Sequence, residues 1–284
     1  MKISILGGGS WATALSLVMA DNGHIVSMWM RDSENARYLN EQRKNKNYLA
    51  EFHIPESITA YVDPQKTLSS SQCILSVLPT QEIRMIWNQF VPYLPLKPIP
   101  IISASKGIEI LSGNTVSQIL QQILPSAYDG QCAHLSGPSF AKEVAMRLPT
   151  TVVLASKNED LAKQLQPLLS NRYFRIYTSS DTAGIEICGA VKNVIAIAAG
   201  MVEGLSLGNN ALAGLITRGI AEMTRLSVHL GGKPQTQAGL AGIGDLVLTC
   251  TGNLSRNRSV GLQLGKGKSL PDILKSMNQV AEGI

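Results

Sequence analysis

The stretch Gly184–Gly200, GIEICGAVKNVIAIAAG, carries one lysine in almost wholly apolar company. Read as a helix, it places Cys188 and Gly189 one turn before Lys192, and Ile195 and Ala196 one turn after it. A helix apolar nearly all round is normally buried, and residues as small as Gly189, Ala190 and Ala196 let a neighbouring element approach closely. Burial disfavours the charged form of lysine, so the pKa is expected to fall from about 10.4 toward the range where the amine exchanges protons near neutrality. The chemistry on offer is general acid–base catalysis. The competing reading is a lysine that extends its head along its stem to water.

A second chemical feature stands at the amino terminus. The strand Lys2–Leu6 runs directly into Gly7-Gly8-Gly9-Ser10-Trp11-Ala12, a GxGxxA turn that opens a helix over Ala12–Asn22. Strand, tight glycine turn and helix amino terminus together form an anion site, because unpaired N–H groups and the helix dipole face a pyrophosphate. Gly7 and Gly9 shape the turn, and this context makes it a dinucleotide fingerprint. The second strand, His24–Met30, is followed by Arg31 where NAD-specific domains present an acid to the ribose. A guanidinium there pairs with a 2′-phosphate, so NADP(H) is favoured and NAD(H) remains possible. A solvated surface arginine is the alternative.

The elements that must position these groups follow from the rest of the pattern. Strand-like runs at Ser57–Val62, Cys73–Leu78, Ile99–Ala104, Cys132–Leu135, Thr151–Ala155 and Tyr173–Tyr177 alternate with helical segments at Gln81–Leu94, Ser112–Leu124 (with Ser112 as its cap) and Glu159–Leu169. That alternation predicts an α/β fold, a doubly wound Rossmann-type domain over residues 1–182. After Thr182 the strands stop, and residues 183–284 read as a smaller all-helical domain that includes Asn210–Leu230. The two domains are expected to enclose a cleft with Lys192 near their junction.

Length and composition agree with this reading. A chain of 284 residues with 44% hydrophobic and 16% charged residues is an ordinary globular protein of about two domains. No run approaches the roughly 18 apolar residues of a membrane span. Cys73, Cys132, Cys188 and Cys250 are widely spaced with no CxxC pair, which fits reduced thiols of a cytoplasmic protein and no metal site. A net charge of +5 spread along the chain, with 5% aromatic residues, suits a small anion and gives little to stack nucleic-acid bases on. His24, His53, His134 and His229 read as structural or surface residues.

Taken in order, GGGSWATAL, SVLP, SASKGIE, LSGPSFAKEV, GAVKNVIAIAAG, AGIGDLVLTCTGNLSRNR and VAEGI resemble the bacterial NAD(P)-dependent glycerol-3-phosphate dehydrogenases nearly end to end. The resemblance implies reversible reduction of dihydroxyacetone phosphate to sn-glycerol 3-phosphate, the backbone of phospholipids, by a cytoplasmic homodimer. It implies dinucleotide contacts from Ser10, Trp11, Arg31, Lys106, Ala141, Arg256, Val280 and Glu282. Around the substrate it places Lys106, Gly137, Ser139, Lys192, Asp245, Ser255, Arg256 and Asn257, with Lys192 as proton acceptor in the oxidative direction. Family members carry further helical sequence beyond the position of Ile284, so the helical domain reads as shortened at its carboxyl terminus.

Within that frame Lys106 is a second cation that lowers the Lys192 pKa by repulsion. Asp245 opposes it by attraction and is placed to hold the lysine head, with a helix cap after Gly244 as the alternative. Ser255-Arg256-Asn257 offers a hydroxyl, a guanidinium and an amide to a phosphate, with a solvated polar loop as the alternative. Two rival functions are a β-hydroxyacid dehydrogenase of related architecture and an inactive or sensing dinucleotide-binding protein.

Overall fold

The computed structural model describes residues 1–277 and 281–284, and the chain divides into two compact units. The first comprises Met1–Ser105, Val116–Leu135 and Ser139–Ser180; the second comprises Lys106–Thr115, Ser136–Pro138 and Asp181–Ile284.

An eight-stranded sheet organises the first unit. Its strands are β1 (Lys2–Leu6), β2 (Ile25–Trp29), β3 (Ile58–Tyr61), β4 (Cys73–Ser76), β5 (Ile101–Ser103), β6 (Cys132–Ser136), β7 (Thr150–Ala155) and β8 (Phe174–Ser179), in the order 3-2-1-4-5-6-7-8. Neighbours from β3 through to β6 are parallel, as are β7 and β8. Parallel strands need crossover helices, which cover both faces and make the strands apolar throughout.

The helices are α1 (Ser10–Asp21), α2 (Ser33–Gln42), α3 (Pro64–Leu68), α4 (Ile83–Phe90), α5 (Val116–Ile123), α6 (Ala141–Ala145) and α7 (Glu159–Leu169). Successive strand residues face opposite cores. Ile3, Ile5, Leu75 and Ile102 join Leu15 and Val18 of α1, whereas Leu6, Ile74 and Ile101 join Trp87 of α4 and Ile119 of α5.

The strand order reverses between β1 and β4, the switch point where doubly wound sheets bind ligands beyond their carboxyl ends. Register fixes what stands there. Leu6 is level with Trp29 on one side and Ser76 on the other, so Gly7, Met30 and Val77 leave the sheet as one row.

The second unit is helical: α8 (Thr182–Gly204), α9 (Gly208–His229), α10 (Pro234–Gln237), α11 (Asp245–Thr251), α12 (Arg256–Gly265) and α13 (Leu270–Lys275), with a π-helical turn over Leu240–Gly244. Helix α8 starts where the buried Asp181 carboxylate caps the N–H of Gly184. At 23 residues it is long and apolar enough, by length and composition, to cross a membrane, although single-residue runs in the sequence suggested none. Its apolar side chains serve a protein core instead. Cys188, Ala196 and Ala199 are buried with Met223, Leu246 and Cys250.

Helices α8 and α12 cross almost backbone to backbone. A Cβ on Gly261 would lie 1.8 Å from the carbonyl oxygen of Ile197, and one on Gly200 would lie 2.0 Å from that of Arg258.

Boundaries shifted where local signals were ambiguous. The first helix begins at Ser10, two residues earlier than its pattern suggested. The long segment after β4 breaks into α4 flanked by 3₁₀ turns at Thr80–Glu82 and Val91–Tyr93. Ser112 does not cap a helix. Residues Ile108 and Thr115 form an antiparallel bridge, the Ser112 hydroxyl donates to Glu109 Oε2, and α5 starts at Val116.

The α8–α12 crossing yields a stability prediction. Gly261→Ala forces two backbones apart and should destabilise the protein by about 3 kcal/mol or more, read as a drop in urea midpoint, whereas substituting the exposed Gly214 of α9, which has open space around it, should change the midpoint far less.

Candidate active site

Each unit carries one half of the chemistry anticipated from sequence. In the first, the turn after β1 packs against the strand end beside it. Gly7 has φ of +132°, and a Cβ there would sit 2.3 Å from the carbonyl oxygen of Val77. Gly9 precedes α1 with no side-chain cap, nothing lies within 4 Å of where its Cβ would be, and the first turn of α1 has no acidic residue. The opening amides of a helix have no intrahelical partner. A turn with free space, uncapped donors and no competing carboxylate therefore fits the pyrophosphate of a dinucleotide.

Ser10 and Trp11 are half-buried in that first turn, and the indole of Trp11 lies 6.5 Å, centroid to centroid, from the ring of Phe174. Beyond β2, the side chain of Arg31 is 75% exposed and makes a loose 3.4 Å pair with Glu82. The next residue, Asp32, turns its carboxylate onto the N–H groups of Glu34 and Asn35 and caps α2. Of these two charges, the guanidinium is the one not committed to a helix cap. Ala141 opens α6 and packs against the same core as α1, and Ser139 also belongs to this unit.

In the second unit, Lys192 is 6% exposed and Asp245 1% exposed, so the lysine does not extend to water. The Lys192 ammonium donates to Asp245 Oδ1 at 2.5 Å, and Lys106 donates to Oδ2 of the same carboxylate at 2.7 Å. Lys106 also donates to the carbonyl oxygen of Gly137 at 3.2 Å. Two short stretches, Lys106–Thr115 and Ser136–Pro138, belong to this helical unit despite standing far upstream, and they supply these groups.

Asp245 is the first residue of α11, delivered by the π-helical turn, and Gly244 rather than Asp245 occupies the cap position. Its helix supplies a residue that the sequence reading missed. Thr249, one turn on, accepts from Lys192 at 3.1 Å and donates its hydroxyl proton to the carbonyl oxygen of Asp245 at 2.5 Å. The spacing Asp-x-x-x-Thr in DLVLT was the available signal, since residues four apart share a helix face.

The electrostatics follow from this geometry. Burial pulls the pKa of Lys192 down, Asp245 pulls it up and Lys106 pulls it down again; the net position is about 8. For Asp245, burial raises the pKa, but the two ammoniums together outweigh it and hold the group below its ordinary value. Two cations share one anion. The cluster therefore keeps an excess positive charge, which suits an anionic substrate. Above it, Cys188 and Cys250 are pushed up to about 12 by burial, so neither is a nucleophile at neutral pH.

The proposed phosphate-binding triplet stands at the start of α12. Ser255 Oγ accepts from the N–H of Arg258 as the helix cap, and Asn257 Oδ1 accepts from the N–H of Gly283. Both are buried, while Arg256 is exposed. Ser255 and Asn257 thus have structural roles. Glu282 is exposed, and Val280 lies outside the described residues.

Residues 2–162 match the N-terminal domain, and residues 181–284 the C-terminal domain, of NAD-dependent glycerol-3-phosphate dehydrogenase. The chain belongs to that family. It is 47% identical to the glycerol-3-phosphate dehydrogenase [NAD(P)+] of Leptospira biflexa, covering all of this chain and 85% of that one. Against the enzyme of Bacillus velezensis identity is 46%, over all of this chain and 82% of that one. The crystal structure of glycerol-3-phosphate dehydrogenase from Coxiella burnetii superposes with a TM-score of 0.93 at 42% identity, over 99% of this chain and 85% of that one. By contrast, D-mandelate dehydrogenase, at 13% identity and a TM-score of 0.59, shares the fold alone. The hydroxyacid-dehydrogenase and sensor readings are therefore not favoured over membership of this enzyme family.

The opposing pulls on Lys192 make a paired prediction. Asp245→Asn should move the Lys192 pKa below about 8 and Lys106→Met should move it above, read by NMR titration of the lysine side chain; shifts of the same sign would contradict this arrangement.

Proposed function

We propose that this chain catalyses the reversible reduction of dihydroxyacetone phosphate to sn-glycerol 3-phosphate, with NADP(H) favoured and NAD(H) accepted. The observation that carries this reading is a buried ammonium held by a shared carboxylate and poised to exchange a proton near pH 8. The dinucleotide, when bound, supplies the hydride.

Reduction of a ketone builds negative charge on the carbonyl oxygen, and that oxygen needs a proton. Lys192 donates it from Nζ in the reductive direction and receives it in the oxidative one. Asp245 and Thr249 hold the amine in place. Lys106 adds a second positive charge that orients substrate oxygens and keeps Lys192 acidic enough to give up its proton. Because Lys192 must start protonated to act as a donor, the reduction rate falls as pH rises through about 8, and the oxidation rate rises over the same range.

Gly137, Ser139, Ser255, Arg256 and Asn257 complete the substrate contacts in this reading, with the guanidinium of Arg256 on the phosphate. Gly7, Gly9, Ser10, Trp11, Arg31 and Ala141 hold the dinucleotide, joined by Lys106, Arg256, Val280 and Glu282 on the strength of the family resemblance. The exposed Arg31, beside an Asp32 already used as a cap, supports the preference for a 2′-phosphate. Residues 1–182 act as the dinucleotide-binding domain, and residues 183–284 as the core of the substrate domain.

The product is a phospholipid backbone, which supports a role in phospholipid synthesis. Four free thiols support a cytoplasmic location. Exposed Val194 and Met201 on α8, with Leu205 just beyond its end, support association into a homodimer.

Purified protein should consume NADPH, and NADH more slowly, on addition of dihydroxyacetone phosphate; a folded protein that binds NADPH without consuming it would overturn the proposal. In the same assay Lys192→Ala should retain dinucleotide binding and lose turnover by at least about a hundredfold. Arg256→Ala should raise the KM for dihydroxyacetone phosphate far more than that for unphosphorylated dihydroxyacetone, and equal effects on the two would remove the phosphate contact.

A further inference from the structure

Outside the residues described above, the first unit contains a chain of buried polar groups that ends on the glycine turn. Asn45 lies in the connection after α2 and is 0% exposed. Its side-chain Nδ2 donates to the carbonyl oxygen of Gly8 at 2.9 Å and to Thr13 Oγ1 at 2.8 Å. Thr13, also 0% exposed, donates its hydroxyl proton to the carbonyl oxygen of Gly9 at 3.0 Å. Behind Asn45, the amide of Asn35 donates to Asn45 Oδ1 at 3.0 Å, and Asn35 Oδ1 accepts from the N–H of Lys46 at 3.2 Å.

A network of this kind is costly to bury unless its groups are satisfied, and once satisfied it fixes one arrangement. Apolar side chains of similar volume would pack a Rossmann core without that cost. What the network does here is specific. The carbonyl oxygens of Gly8 and Gly9 are both taken up, that of Gly8 by Asn45 and that of Gly9 by Thr13 through its N–H and its hydroxyl. An unengaged carbonyl beside the helix start would be free to turn toward, and repel, an approaching anion. With both engaged, the uncapped donors at the start of α1 stand beside a turn whose Gly8 and Gly9 carbonyls are fixed.

We infer that Asn45 is a positioning residue for the dinucleotide: acting through Gly8 and Thr13, it holds the glycine turn in its anion-accepting form before the cofactor arrives. This rests on the dinucleotide-binding role proposed above. Preorganisation of this kind removes an ordering cost from binding, so its loss should appear in affinity for the cofactor rather than in the chemical step.

The test compares Asn45→Leu, which keeps the approximate volume and removes the amide, with Asn40→Leu. Asn40 bridges α2 to β3 by donating to the carbonyl oxygen of Ala60 and accepting from its N–H, and it makes no contact with the glycine turn. Thermal midpoints measure the structural damage done by each change. NADPH dissociation constants, from nicotinamide fluorescence, measure the positioning effect. For Asn45→Leu the dissociation constant should rise at least about tenfold, with the KM for NADPH rising in step and that for dihydroxyacetone phosphate little changed. Asn40→Leu should lose thermal stability without that rise.

Unchanged NADPH affinity in Asn45→Leu, or an equal rise in both variants, would overturn the inference. Should Asn45→Leu fail to fold, Thr13→Val removes the middle of the chain alone; it should weaken NADPH binding severalfold, with Thr13→Ser restoring it, and wild-type affinity in Thr13→Val would likewise overturn the inference. A wild-type protein that fails to bind NADPH would instead count against the proposed function itself.

Discussion

One buried carboxylate shared between two ammonium groups is the constraint on which the helical unit depends. Placing Lys192 and Asp245 out of water costs several kcal/mol per ion, a cost offset only where attraction and hydrogen bonds leave no lone pair or proton unmet. Here Asp245 meets that condition with one oxygen on each lysine, and Lys192 has Thr249 as its second acceptor. Removing Asp245 leaves two ammonium groups facing each other without their anion. The cluster therefore couples stability to function: the geometry that makes burial tolerable also sets the amine near pH 8.

Delivering those groups explains much of the architecture around them. Lys192 needs a long apolar helix, and α8 is apolar enough to resemble a membrane segment. Asp245 needs a helix start aimed at that lysine, which the π-helical turn provides. Lys106 comes from a strand-connected loop far upstream that is closed by the Ile108–Thr115 bridge and grouped with the helical unit. The close α8–α12 crossing through Gly200 and Gly261 belongs to the same economy of space, since it brings the Ser255–Asn257 segment onto the helix that carries the lysine.

The sheet unit is organised around a different device, backbone donors at a glycine turn. Register places Gly7, Met30 and Val77 in one row at the point where strand order reverses. Glycine is required at position 7 because the backbone is left-handed there and Val77 is already in contact. Asn45 and Thr13 then occupy the Gly8 and Gly9 carbonyls of that turn from within the core, with Asn35 holding the Asn45 amide. The two units thus use opposite devices, charge in one and oriented backbone dipoles in the other.

Local signals were enough for the alternation of strands and helices, the glycine turn and the apolar surroundings of Lys192, because each depends on periodicity or on neighbours within one or two turns; they left open whether its amine reaches water. The family resemblance added Lys106 and Asp245 to the lysine. What the sequence alone could not convey was how groups far apart in the chain share hydrogen bonds. Thr249 matters only because a lysine 57 positions earlier reaches its hydroxyl. Ser112 has the look of a helix cap, yet a bridge across its own loop redirects it to Glu109. Asn45, in a stretch of polar residues, is fully buried, and its amide meets Gly8 across 37 positions. A polar side chain's role is set by the partner that satisfies it; for Thr249 and Asn45 only folding brings that partner within hydrogen-bonding distance, and for Ser112 the bridge across its loop selects it.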